Sequence, residues 1–173
     1  VKVVAIGDNT LYYLLYELDE EFQKIFKIKA DFDSEMDKNT EHIKRYAAFV
    51  SKLCRDEGLL DFSASALAEI TEEGVRLAGT QKKLSTRFSI IADIVREADY
   101  WARTENAKLV TAEHVRKALE HRHYRLSLLK DKIHEMIIDG RILIDIEGKV
   151  VGQTNGLAIY HIAGLTFGRP SRI

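Results

Sequence analysis

LSTRFSIIADIVREA, residues 84–98, spaces Leu84, Phe88, Ile91, Val95 and Ala98 at intervals of four, three, four and three. Those intervals keep returning to one side of a 3.6-residue helix, so the stretch predicts an amphipathic helix whose apolar stripe faces a packed core. The same period appears on both sides of it. Toward the N-terminus, Ile43, Tyr46, Val50 and Leu53 share a face, with Asp37 or Asn39 as possible caps and Gly58 as a stop. A second helix runs from a Ser63 cap through Leu67, Ile70 and Leu77 to Gly79. Its Gly74 either lets a neighbour approach closely or weakens its own helix. Toward the C-terminus, Thr111 opens a run through Val115, Leu119, Leu126, Leu129, Ile133 and Met136 to Gly140. As one helix it would be roughly 40 Å long, enough to leave the bundle and reach another domain.

The flanks carry a different pattern. Residues 1–6 are apolar and rich in β-branched side chains, ended by Gly7-Asp8-Asn9, which predicts a strand buried on both faces of a parallel sheet. Residues 25–32 predict a second strand, with 10–22 as a helical connection; two strands and a crossover are part of a larger α/β sheet. After Gly140 the predicted elements are strands at 142–146, 150–151 and 157–162, separated by Glu147-Gly148 and Asn155-Gly156 turns. The expected fold is mainly α: a helical bundle over 36–140, flanked by an α/β remnant over 1–35 and a β remnant over 141–173. With 173 residues, 46% of them hydrophobic, a packed core is within reach. The opening without methionine, inside a strand-like run, reads as a piece of a longer protein.

Composition excludes several classes. Lys+Arg 26 against Asp+Glu 27 gives a net charge of -1, so nothing draws the chain as a whole to nucleic acid or an anionic membrane. The single cysteine, Cys54, allows no internal disulfide and suits a reducing, cytoplasmic setting. No apolar run approaches the roughly 20 residues of a membrane span. His121 and His123 stand two apart, on different sides of a helix, with no carboxylate or cysteine to complete a metal set. GxSxG and GxxxxGK[ST] are both absent, so the chain alone is expected neither to cut a peptide nor to cradle a nucleotide.

Any anion site must therefore be local. Asp8 and Asn9 lie just past the first predicted strand, where open α/β sheets present polar side chains to a ligand. Asn9 suits a phosphate or its attacking water, and equally suits capping the helix that follows. Residues 74–92 hold Arg76, Lys82, Lys83 and Arg87 and no acidic residue. Arg87 falls in the first turns of the predicted helix, where its charge opposes the helix dipole and an anion would resolve the conflict. The alternative is a solvated basic loop, with Arg87 lying over the apolar seam. Lys24, Lys27 and Lys29 surround the second predicted strand, but no arginine precedes Arg45, so Lys24 is at best a stand-in for a planar guanidinium fork.

Residues 1–33 (VKVVAIGDNTLYYLLYELDEEFQKIFKIKADFD), 82–102 (KKLSTRFSIIADIVREADYWA), 110–122 (VTAEHVRKALEHR), 139–160 (DGRILIDIEGKVVGQTNGLAIY) and 167–173 (FGRPSRI) together resemble the Lon-like branch of the AAA+ proteases. The resemblance covers essentially the whole chain, in the same order. It implies an ATP-driven unfoldase joined to a serine protease with a Ser-Lys dyad, assembled as a hexameric ring and acting on protein substrates. Asn9 resembles the sensor-1 polar residue, and Arg87 the sensor-2 arginine that reaches the nucleotide's phosphates. ATP, with Mg in the parent, is the implied cofactor, whereas none is expected on this chain alone: the Walker segments would precede Val1 and the dyad would follow Ile173. Hydrolysis would change the contact with Arg87, turn the lid, and pass that motion along the long last helix. A lid from a non-proteolytic AAA+ motor, of clamp-loader, helicase or chelatase type, is the competing expectation, and residues 149–173 speak against it. A purely helical interaction or DNA-binding domain would leave the opening run unexplained.

Overall fold

The computed structural model describes residues 1–145, 147–162 and 165–173, with only the backbone at positions 161 and 165. In chain order the elements are α1 (Asn9–Leu18), α2 (Glu20–Ile25), β1 (Glu35–Asp37), α3 (Thr40–Glu57), α4 (Ala64–Ala78) and β2 (Lys83–Ser85). They continue with α5 (Phe88–Thr104), α6 (Ala112–Leu126), α7 (Leu128–Ile138), β3 (Asn155–Ile162) and β4 (Leu165–Arg172). No helix among the described residues is long and apolar enough to cross a membrane.

The bundle helices begin and end where local chemistry favours it. Asn39 accepts the backbone N–H of His42 at 2.8 Å and opens α3, which Gly58 closes with φ 66°. Ser63 accepts Ala66 N–H at 3.1 Å and opens α4, which Gly79 closes with φ 71°. Each cap satisfies a donor the helix itself leaves unpaired, and each left-handed stop suits glycine. At α6, His114 Nδ1 accepts the Thr111 backbone N–H at 3.0 Å in a capping box. An imidazole here does what Glu or Gln usually does.

The centre of the bundle is α5, whose Ile91, Ile94, Val95, Ala98 and Ala102 are all buried, against Tyr46 and Val50 of α3, Ile70 of α4 and Val115 of α6. Gly74 serves close approach: a Cβ there would lie 2.7 Å from Tyr46 Oη, so the glycine leaves room for that ring. One buried charge ties the bundle together. The Asp99 carboxylate accepts Leu60 N–H at 2.8 Å and Arg103 Nε at 2.7 Å, while Arg103 Nη2 donates to the Gly58 carbonyl at 2.8 Å. The turn between α3 and α4 is thereby fastened to α5.

Several expectations are corrected. Leu84 is buried as its spacing required, but it belongs to β2, which pairs antiparallel with β1 in the register Glu35↔Ser85, Met36↔Leu84 and Asp37↔Lys83. Residues 1–6 form no strand and lie exposed, Ile6 at 97%, because a parallel strand is stable only between neighbours and no described strand lies alongside. Residues 25–32 form no strand either. Asp19 accepts the N–H groups of Glu21 and Phe22, so a local cap wins and Ile25 ends α2 instead. The predicted helix over 10–22 is thus two helices, divided at Asp19. The run over 111–140 divides as well. At Ser127 (φ -78°, ψ -11°) the N–H turns to Tyr124 O at 3.2 Å, the tighter three-residue bond that ends α6.

The C-terminal strands also differ from expectation. Residues 142–145 and 150–151 are in no strand, and Ile146 lies outside the described residues. Asn155-Gly156 begins β3 rather than making a turn, and β3 pairs antiparallel with β4 from Asn155↔Arg172 to Ile162↔Leu165. Pro170 faces Leu157, which a two-stranded ribbon tolerates because each strand keeps an open edge. The ribbon buries Phe167 with Ile133 of α7, flanked by Leu126, Met136 and Tyr160.

Candidate functional site

Arg87 stands at the N-cap position of α5, one residue before the helix rather than within its first turns. Its N–H donates to Ser85 Oγ at 3.2 Å, and its carbonyl accepts Ile90 N–H at 3.0 Å, so the backbone is fixed while the side chain projects outward. Thr86 is clasped from the side, its N–H to Ser34 O at 2.9 Å and its Oγ1 to Asp33 O at 2.5 Å. No side chain caps α5. A cation therefore sits on the positive end of a helix, an arrangement that becomes favourable only with an anion present.

The guanidinium itself is uncommitted. Arg96 grips Glu57 at 2.8 and 2.7 Å, Arg103 grips Asp99 and Arg125 reaches Glu97 at 2.5 Å, but among the described residues Arg87 makes no side-chain hydrogen bond or ion pair. Its charge is felt at Asp8, whose carboxyl lies below its ordinary value chiefly through hydrogen bonding to Thr10 and in smaller part through Arg87. Asp8, not Asn9, caps α1, accepting Thr10 N–H at 2.7 Å. That leaves the exposed Asn9 side chain without a partner among the described residues. The structure thus brings Arg87 within electrostatic reach of the Asp8-Asn9 corner, although the two lie far apart in sequence. An exposed guanidinium and an exposed carboxamide are each able to donate to an anion, whereas the Asp8 carboxylate beside Asn9 would repel one.

Two segments match family models. Residues 61–125 match the archaeal LonB AAA+ ATPase lid domain, and residues 1–33 match the LonB-like AAA domain. The chain is a Lon-like AAA+ segment. It is 33% identical over 121 residues to an archaeal Lon protease of Archaeoglobus fulgidus, covering 70% of this chain and 19% of that protein. To an archaeal Lon protease of Thermoplasma volcanium it is 30% identical over 132 residues, covering 72% of this chain and 19% of the relative. A Haemophilus influenzae protein named as a Lon protease homolog is 24% identical over 177 residues, covering 100% of this chain and 28% of its own length. The chain therefore spans less than a third of the length of the curated relatives it matches. These matches favour the Lon-like reading over a non-proteolytic motor. Asn9 lies in the segment that matches the AAA domain, and Arg87 in the segment that matches the lid.

Other candidates in the Lon-like chain are occupied. Lys24 pairs with Glu21 at 2.6 Å, while Lys29 pairs with Asp31 at 2.7 Å and sits over the rings of Tyr12 and Tyr13. His121 stacks on Trp101 with ring centroids 4.3 Å apart. Among the described residues no group of three His, Cys, Asp or Glu side chains could hold a metal ion. The contacts around Arg87 are not legible in the sequence: the seam spacing predicts helix from Leu84 onward, whereas Leu84 and Ser85 end β2 and Thr86 is bonded to residues 33 and 34.

Proposed function

We propose that this chain forms the end of the nucleotide-binding subdomain (1–35), the helical lid (36–140) and the opening of the proteolytic domain (141–173) of an ATP-dependent, Lon-like protease. The parent would be a cytoplasmic hexamer that unfolds and cuts protein substrates with a Ser-Lys dyad carried elsewhere in its sequence. ATP with Mg supplies phosphoryl-transfer free energy when bound. Arg87 offers its guanidinium to the phosphates from the lid, and Asn9 offers its carboxamide from the neighbouring corner. The lid responds as a body because α5 anchors it, and α6 followed by α7 carries its orientation to the β3–β4 ribbon.

The observation that carries this reading is the exposed guanidinium of Arg87, unpaired among the described residues, at the N-terminus of α5 and within the segment that matches the AAA+ lid. Replacing Arg87 by Ala in the full-length protein should lower ATP turnover by about tenfold or more, the scale of a lost charge-stabilising donor. Circular dichroism and thermal unfolding should stay unchanged, because the side chain supports no packing. ATP turnover and ATP-dependent proteolysis both equal to wild type would remove Arg87 from the mechanism and the reading with it.

A further inference from the structure

Resting on that reading, we infer that Tyr46 is a positioning residue for Arg87: its buried hydroxyl and ring hold the backbone on both sides of the arginine, in a space that Gly74 keeps open. Tyr46 is 1% exposed, and its Oη donates to the Ser85 carbonyl at 2.7 Å, two residues before Arg87. Its ring packs on Phe88, one residue after Arg87, with centroids 5.5 Å apart. Ser85 then completes the connection, its Oγ accepting the Arg87 N–H at 3.2 Å.

The direction of the hydroxyl matters here. A tyrosine needed only to fill the core would be served equally by phenylalanine, whereas a buried hydroxyl demands a partner and fixes whatever supplies it. The partner is the last residue of β2, a strand of three residues with a single neighbour, β1. The end of so short a strand is held by anchors outside its ladder: Thr86 is bonded to Asp33 and Ser34 on one side, and Tyr46 supplies the anchor from α3. On α4, a Cβ at Gly74 would meet Tyr46 Oη at 2.7 Å and Cε1 and Cζ at 3.0 Å. Three helices therefore converge on the placement of one exposed guanidinium.

The test is a double-mutant cycle for ATP turnover in the full-length protein. Tyr46→Phe should lower kcat by about fivefold, in keeping with one lost hydrogen bond, and should have no further effect in an Arg87→Ala background. Ser85→Ala should follow the same pattern, and keeps the test open should Tyr46→Phe fold poorly. A second readout is amide hydrogen exchange at Arg87, which Tyr46→Phe should accelerate selectively relative to the α5 interior. Equal losses of kcat in both backgrounds, or unchanged Arg87 exchange, would overturn the positioning role and leave Arg87 itself standing. An Arg87→Ala variant with normal turnover would instead overturn the proposed function, and the positioning role with it.

Discussion

Residues 1–33 and the bundle from α3 to α6 are both rich in apolar side chains, and their fates are opposite. Ile6 is 97% exposed and Ile91 is 0% exposed. Neither α1 nor α2 buries a single residue, while α5 buries seven. The difference is not appetite for burial but the availability of a partner. The seam of α5 meets stripes on α3, α4 and α6, whereas the side chains of 1–33 find no comparable surface among the described residues. Hydrophobic stabilisation belongs to a pair of surfaces and cannot be assigned to one of them.

The sharpest way to break this comparison is truncation on both sides of it. Ile91→Ala should cost about 2–5 kcal/mol in urea unfolding, the range for deleting a fully buried branched side chain. Ile6→Ala should change stability by less than about 0.5 kcal/mol, as exposed substitutions do. Similar costs for the two would show that residues 1–33 are packed after all. A smaller effect is expected at the buried carboxylate. Asp99→Ala should cost about 1–3 kcal/mol, since it strands the Leu60 N–H in the interior and releases Arg103 from the α3–α4 turn. Unchanged unfolding would mean that the turn holds itself.

The smallest effect is acid loss at the surface. Arg96, hydrogen bonded to Glu57, holds that carboxyl below its ordinary value of 4.5. A depressed folded value means the contribution is present above the unfolded value and disappears as pH falls through the folded one. Glu57→Gln should therefore flatten part of the decline in bundle stability below about pH 4.5. Asp8 has the same sign, but its loss should appear only in amide exchange within α1. A change in bundle stability from Asp8→Asn would blur the line between the two regions.

Where the sequence was legible, local rules and tertiary packing agreed. Ser63, Gly58, Gly79 and the Thr111 start were readable because caps and left-handed stops are settled by nearby backbone groups. The seam at Ile91, Val95 and Ala98 was readable because its period repeats. Strands at 1–6 and 25–32 were misread for a converse reason: pairing depends on residues distant in sequence, and β propensity without a partner yields to coil or to a local cap such as Asp19. Three-residue strands such as β1 and β2 are too short to show a period at all. Asn155-Gly156 carried a turn signal that the pairing with Arg172 and Ser171 overrode. At the site, Arg87 is legible from its charge and its place before the seam, and its bond to Ser85 is local, but the contacts of Tyr46 and Thr86 that hold this turn span 39 or more residues.

The interruption at Ser127 changes what the last two helices can do mechanically. An unbroken rod would oblige everything beyond it to swing through the same arc as the lid. A joint set by one residue's dihedral angles makes α7 a lever of about 16 Å at 1.5 Å per residue, so a change of about 10° there displaces its far end by about 3 Å. The hydroxyl of Ser127 can give its one proton either to Asp131 Oδ2 at 2.7 Å or to Tyr124 O at 3.0 Å, and so braces the elbow from one arm at a time. Small rotations of the bundle can thus be either amplified or absorbed before they reach the ribbon, according to how stiffly a single serine holds its angle.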